Sequence, residues 1–163
     1  MRSEEELRFA IEQYGDMVKK ICFIHMKQQC DVDDVFQNVF LKYANASSFE
    51  SREHEKAWLI RVSINACKDN LRVWFRKNVS LHNEMELFDC CNHTLPDAQH
   101  PEVLQSVLKL KNPYKSVIYL YYYEGYNTSE IAKILKRKDN TIQTWLRRSR
   151  EQLKGMLGGD DFA

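Results

Sequence analysis

The sequence predicts an all-α chain: two small helical domains joined by a flexible linker, the second of them a helix-turn-helix. Three observations carry this. Apolar residues recur at helical spacing through most of the 163 residues, and no segment alternates convincingly as a strand. The pattern fades after Lys77 and resumes only at Pro101, across a stretch that also holds Pro96. In the last third, two amphipathic stretches are separated by a break too short for anything but a sharp turn. The boundaries follow as 1–77 for the first domain, 78–100 for an acidic linker, 101–158 for the helix-turn-helix domain and 159–163 for a frayed tail.

In the first domain, Leu7, Ala10, Ile11, Tyr14, Val18 and Ile21 form one helical stripe. Val35, Phe36, Val39, Phe40 and Tyr43 form a second, on a helix beginning near Asp31, and Ile60, Ile64, Cys67, Leu71 and Trp74 form a third. Between the second and third, Ala44 to Glu55 is polar and rich in turn formers, which predicts a loop. Helical patterning restarts with Val103, Leu104, Val107 and Leu108, and Pro113 opens a helix through Val117, Ile118, Tyr121 and Tyr122. Gly125 suits a left-handed helix end, and Asn127 with Glu130 has the spacing of a capping box, so a new helix starts there. Ile131, Ala132 and Leu135 share its inner face. Ile142, Leu146, Ser149 and Leu153 continue the pattern on the final helix.

Composition excludes several classes. No apolar run approaches the length that spans a bilayer, and the chain opens Met-Arg-Ser-Glu-Glu-Glu rather than with an export signal, so a cytoplasmic protein is expected, with no membrane insertion. The five cysteines lack the paired spacing of a zinc site or a secreted disulfide framework. Cys22 and Cys67 lie on apolar stripes and read as small core residues. Cys90 and Cys91 with His93 and His100 leave a metal or redox sensor as an alternative, although adjacent cysteines in a polar linker are poor tetrahedral ligands. No metal ligand is assigned, no cofactor is called for, and no catalytic constellation is found.

Net charge is only +1, but the charge is unevenly placed. From Lys133 to Lys154, eight basic residues face two acids, Asp139 and Glu151. On the last helix Asn140, Gln143, Thr144, Arg147 and Arg148 face outward, amide, hydroxyl and guanidinium groups able to contact base edges and phosphates. Clustered charge of this kind favours nucleic acid over a merely solvated polar face. Arg61, Asn65, Lys68, Arg72 and Arg76 lie along one side of the third helix, with Trp58, Trp74 and Phe75 nearby, as in grooves that hold unstacked single strands; plain surface charge is the alternative. Asp34, Gln37, Asn38 and Leu41 project together from the second helix. Carboxylate, amides and an exposed leucine suit a protein partner better than phosphate, or an ordinary solvent face whose acids favour the helix dipole.

These blocks, Asp31-Val-Asp-Asp-Val-Phe-Gln-Asn-Val-Phe-Leu-Lys42, Lys56-Ala-Trp-Leu-Ile-Arg-Val-Ser-Ile-Asn-Ala-Cys-Lys-Asp-Asn-Leu-Arg72 and the terminal helix-turn-helix, resemble the extracytoplasmic-function sigma factors of bacterial RNA polymerase over nearly the whole chain. The resemblance implies a non-enzymatic subunit that binds core RNA polymerase, reads the -35 element as duplex and melts the -10 element, and it implies an anti-sigma factor as a further partner. Asp34, Gln37, Asn38 and Leu41 fall where the family docks on polymerase. Arg61, Asn65, Lys68 and Arg72 fall on the helix facing the -10 element. Ser47, Ser48 and Ser51 lie in the loop from Ala46 to Glu55, where the family captures a base of the nontemplate strand. Thr141, Gln143, Thr144, Arg147 and Arg148 fall on the -35 recognition helix. The chain departs from the family pattern at Lys136, where glycine is usual, at Asn38 for a common glutamate, and at Trp145 for a frequent arginine. Lys136 must therefore turn left-handed at some cost or the turn must differ. A free-standing helix-turn-helix regulator, whose N-terminal bundle binds an effector or dimerises, is the competing class.

Overall fold

The computed structural model describes the backbone of residues 1–26, 29–78 and 101–157, and side chains within 1–26, 31–73 and 105–156. The proposed linker beyond Asn78, the tail, and Cys90, Cys91, His93 and His100 lie outside the described residues. The described elements are all helical and divide into two units, α1–α3 and α4–α7.

Helix α1 (Glu4–His25) begins at a capping box. The Glu6 amide donates to Ser3 Oγ at 3.2 Å and the Ser3 amide to Glu6 Oε2 at 2.9 Å, satisfying two donors that the helix cannot. Helices α2 (Gln29–Asn45) and α3 (Arg52–Asn78) complete the unit. Its core joins Val18, Ile21 and Cys22 of α1 to Val35, Val39, Phe40 and Tyr43 of α2 and Leu59, Ile60, Ile64 and Cys67 of α3, all buried. Both cysteines are reduced core residues, and the Cys67 thiol is pushed up by its hydrogen bond with Cys22 and by burial.

Two expectations shift here. Ile11 is exposed rather than core, although Val18 and Cys22, about two and three turns further along the same side of the helix, are buried. The α2–α3 loop is also shorter than Ala44 to Glu55. It covers 46–51, because α2 continues to Asn45 and the Ser51 hydroxyl caps α3 by accepting the His54 amide at 3.1 Å.

The second unit contains α4 (Pro101–Lys109), α5 (Tyr114–Ile118), α6 (Thr128–Leu135) and α7 (Asp139–Leu157). From α5 the chain runs directly into a wider π turn over Tyr119–Tyr123, with the Glu124 amide donating to Tyr119 O at 3.2 Å. The extra residue in that turn rephases the helix face. Tyr119 and Leu120 are therefore buried, where a regular helix would have buried Tyr121 and Tyr122; Tyr122 is exposed. Tyr119 donates to Glu124 Oε1 at 2.6 Å, and burial followed by that bond pushes its phenol up. Around these residues the core gathers Val107, Val117, Ile118, Ile131, Ile142, Leu146 and Leu153.

Candidate nucleic-acid interface

The helix-turn-helix is built largely by local bonds. The Glu130 amide donates to Asn127 Oδ1 at 2.8 Å and the Asn127 amide to Glu130 Oε1 at 3.2 Å, so the expected capping box starts α6. Gly125 enters with φ 76°, the left-handed region that glycine occupies without strain. Lys136 ends α6 at φ 55° and ψ 49°, the left-handed option of the two open to it, with its amide on Ala132 O. The Arg137 amide also donates to Ala132 O, at 2.9 Å, which tightens the turn into α7. Ile131, Ala132 and Ile134 face inward, while Leu135 is half-buried at the edge.

On α7 the inner stripe is Ile142, Leu146, Ser149 and Leu153, all buried, and it turns Asn140, Gln143, Arg147 and Arg148 into solvent. Thr141 and Thr144 are half-buried beside them. The Thr144 hydroxyl donates to Asn140 O at 2.9 Å, leaving its lone pairs for a ligand. Arg150 is differently employed: its Nε donates to Tyr122 Oη at 2.8 Å and its guanidinium carbon lies 5.2 Å from the Tyr121 ring centroid. The exposed tyrosine that holds it was not foreseen, because the π turn is invisible to helical periodicity.

In the first unit, Asp34, Gln37, Asn38 and Leu41 are all exposed on one face of α2, Leu41 at 62%. Asn38 and Leu41 border a groove between α2 and α3 that Val35, Ala66, Asn70 and Val73 also line. An exposed leucine at the edge of an apolar groove is costly in water and suits a partner surface. Asp31, at the start of the same helix, has its carboxyl pushed up by burial and by the Asp34 carboxylate. Along α3, Asn65 and Arg72 are exposed and Arg61 and Lys68 half-buried, so the basic ridge exists. The Arg72–Asp69 pair at 3.9 Å is solvent-exposed and too weak to fix the side chain. The side chains of Trp74, Phe75 and Arg76 lie outside the described residues.

Ser47, Ser48 and Ser51 are all exposed on the 46–51 connection, and the Ser51 hydroxyl also caps α3 by accepting the His54 amide, which leaves its O–H free to donate. Beneath them lies an aromatic cluster. Phe49 stacks on Tyr43 with centroids 5.9 Å apart, lies 5.4 Å from Trp58 and meets the edge of His54 at 5.5 Å. Tyr43 donates to Glu55 Oε1 at 2.6 Å; burial and that bond push its phenol up to about 12. The connection is short and rests on a packed base. Trp58, read from sequence as a neighbour of the basic ridge, belongs to that base.

Comparison with known proteins matches both units. Residues 10–74 match the family model for sigma-70 region 2, and residues 100–153 match that for sigma-70 region 4. The chain is 25% identical over 164 residues to the ECF RNA polymerase sigma factor SigW of Bacillus subtilis, covering 90% of this chain and 86% of the relative. It is 26% identical over 165 residues to SigX of the same organism, covering 93% and 83%. Among solved structures, the sigma factor RpoE in complex with the anti-sigma factor NepR from Bartonella quintana shares the fold with a TM-score of 0.73 at 18% identity, over 96% of this chain and 99% of that one. CnrH, solved with the cytosolic domain of CnrY, gives a TM-score of 0.66 at 20% identity, over 98% and 92%.

Proposed function

Because the chain belongs to the sigma-70 family, in its extracytoplasmic-function group, it is a subunit that directs RNA polymerase to promoters, and we propose how its surfaces divide that task. The observation that carries the reading is the order of the two matches in one chain, region 2 over 10–74 and region 4 over 100–153. A free-standing helix-turn-helix regulator would account for the second match and not the first.

Residues 1–77 serve polymerase docking and the -10 element, 101–158 serve the -35 element, and 78–100 join them, with 159–163 as a tail. Asp34, Gln37, Asn38 and Leu41 dock on core polymerase: they share an exposed face that joins a carboxylate and two amides to an apolar knob, with Lys42 at its edge. Arg61, Asn65, Lys68 and Arg72 follow the backbone of the melted nontemplate strand. Ser47 and Ser48 meet the edge of an extruded base, with Ser51 contributing mainly the cap that sets the loop's end. Thr141, Gln143, Thr144, Arg147 and Arg148 contact the -35 duplex, arginines on phosphate or guanine and the amide on a base edge. The chain acts in the cytoplasm, performs no chemistry of its own and needs no cofactor. An anti-sigma factor restrains it, by analogy with the solved complexes of its structural neighbours. Among the described residues no helix is long and apolar enough to cross a membrane.

Transcription with purified core polymerase and the DNA upstream of the chain's own operon tests the function. Transcripts starting at one position only when the protein is added are expected; none would contradict it. The docking assignment has its own test. Gln37→Ala with Leu41→Ala is expected to weaken core binding by about tenfold or more while leaving thermal unfolding unchanged, because both side chains face solvent. Unchanged affinity in a titration would remove that surface from the assignment.

A further inference from the structure

The first residues of the chain grip the α2–α3 connection from more than forty positions away. The Arg2 amide donates to Ala44 O at 2.9 Å, its Nε to Tyr43 O at 3.1 Å and its Nη2 to Ser47 O at 2.8 Å. Tyr43 and Ala44 stand in the last turn of α2, whose carbonyls have no partner within the helix, and a cation there suits the negative end of the helix dipole. The same guanidinium carbon lies 4.6 Å from the Tyr43 ring centroid and 5.0 Å from that of Phe49. One side chain thus touches the end of α2, the backbone of Ser47 and the aromatic base on which the connection sits.

We propose that Arg2 is a positioning residue for single-strand recognition: it holds the 46–51 connection in the shape that presents Ser47 and Ser48 to an extruded base. This rests on the reading of that connection as the base-capturing element. Arg2 acts through the backbone, since the nitrogens it uses point at carbonyl oxygens. Removing the guanidinium leaves the Arg2 amide on Ala44 O and the Ala46 amide on Tyr43 O at 3.1 Å, so the helix end persists. Ser47 O loses its donor and Phe49 its cation, and the connection is freed above an intact fold. Lysine retains the charge but lacks the fixed fork that reaches two carbonyls at once, so it restores only part of the function.

The test uses holoenzyme reconstituted with the parent chain, Arg2→Ala, Arg2→Lys, or Ser47→Ala with Ser48→Ala, titrated with nontemplate-strand oligonucleotides carrying each base in turn at each -10 position. Arg2→Ala is expected to lose about tenfold in discrimination between bases, the size of one lost well-formed base contact, with Arg2→Lys intermediate and core-polymerase affinity unchanged. In the free protein, hydrogen exchange of the Glu50 amide, which lies within the connection and donates to His54 Nδ1 at 3.4 Å, is expected to be faster in Arg2→Ala than in the parent. Unchanged exchange would overturn the grip itself. Full discrimination by Arg2→Ala, with discrimination lost in the serine variant, would overturn the role of Arg2 and leave base capture standing. Full discrimination by both variants would overturn the base-capture reading, and the role of Arg2 with it.

Discussion

The 46–51 connection and the turn between α6 and α7 both join helices and both carry residues assigned to DNA, yet they are held by opposite means. The second is a local construction: Asn127 and Glu130 cap each other, and Lys136 accepts a left-handed backbone within a few residues of the bonds it makes. The first is held chiefly from far along the chain, by Arg2 on Tyr43 and Ser47, with Phe49 packed on nearby Trp58 beneath it. A connection held locally stays put when its surroundings change. One held by distant side chains yields when any of them goes, which suits the base capture proposed for it.

The comparison is broken most severely at Tyr43, which is buried under three aromatic neighbours and bonded to Glu55. Tyr43→Ala is expected to cost the first unit about 3 kcal/mol, judged from large aromatic truncations in cores. Amide exchange resolved along the chain checks this: protection is expected to fall across α1–α3 and to stay unchanged across α4–α7. The same residue gives a pH signature. Its phenol ionises near 10 in the unfolded chain and near 12 in the fold, so its contribution is fully present below pH 10 and is lost as pH rises toward 12. Tyr43→Phe is expected to flatten that part of the alkaline unfolding curve, a measurement that the parent's steeper loss makes readable.

A smaller effect is expected at the local construction. Asn127→Ala removes the acceptor of the Glu130 amide and is expected to cost about 1 kcal/mol, confined to the second unit. Smaller still, and of opposite sign, is Lys136→Gly. Relief of left-handed strain of about 1–2 kcal/mol is offset by the greater freedom that glycine has in the unfolded chain, leaving a gain of about 0.5 kcal/mol. Denaturant unfolding followed in the second unit reads both, and a destabilising Lys136→Gly would mean that the lysine side chain holds the turn by contacts of its own.

The same contrast explains what was legible in the sequence. The helix-turn-helix could be read almost residue by residue, because a capping box, a left-handed helix end and the stripe Ile142, Leu146, Ser149 and Leu153 are all matters of near spacing. The exposed face of α2 was legible for the same reason, since Asp34, Gln37, Asn38 and Leu41 follow from where Val35, Val39 and Tyr43 are buried. Tyr121 and Tyr122 were misplaced because a π turn breaks the period on which the reading depends. That the Ser51 hydroxyl also caps α3 follows only from knowing where α3 begins. The Arg2 contacts left no mark in the sequence at all, since nothing near Arg2 signals a partner more than forty positions away, and the Phe49–Trp58 packing spans the start of α3, which helical spacing alone does not place.

The central claim is that the first unit reads melted DNA at the 46–51 connection while the second reads duplex through α7. Permanganate footprinting tests it directly, on promoters that differ only at the captured -10 base, with holoenzyme carrying Ser47→Ala and Ser48→Ala, or Arg147→Ala. The serine variant is expected to lose the dependence of melting on that base while binding the -35 duplex as the parent does, and Arg147→Ala to keep the dependence while binding duplex more weakly. Equal base-dependent melting by the serine variant and the parent on every promoter would contradict the claim and leave the connection only a link between two helices.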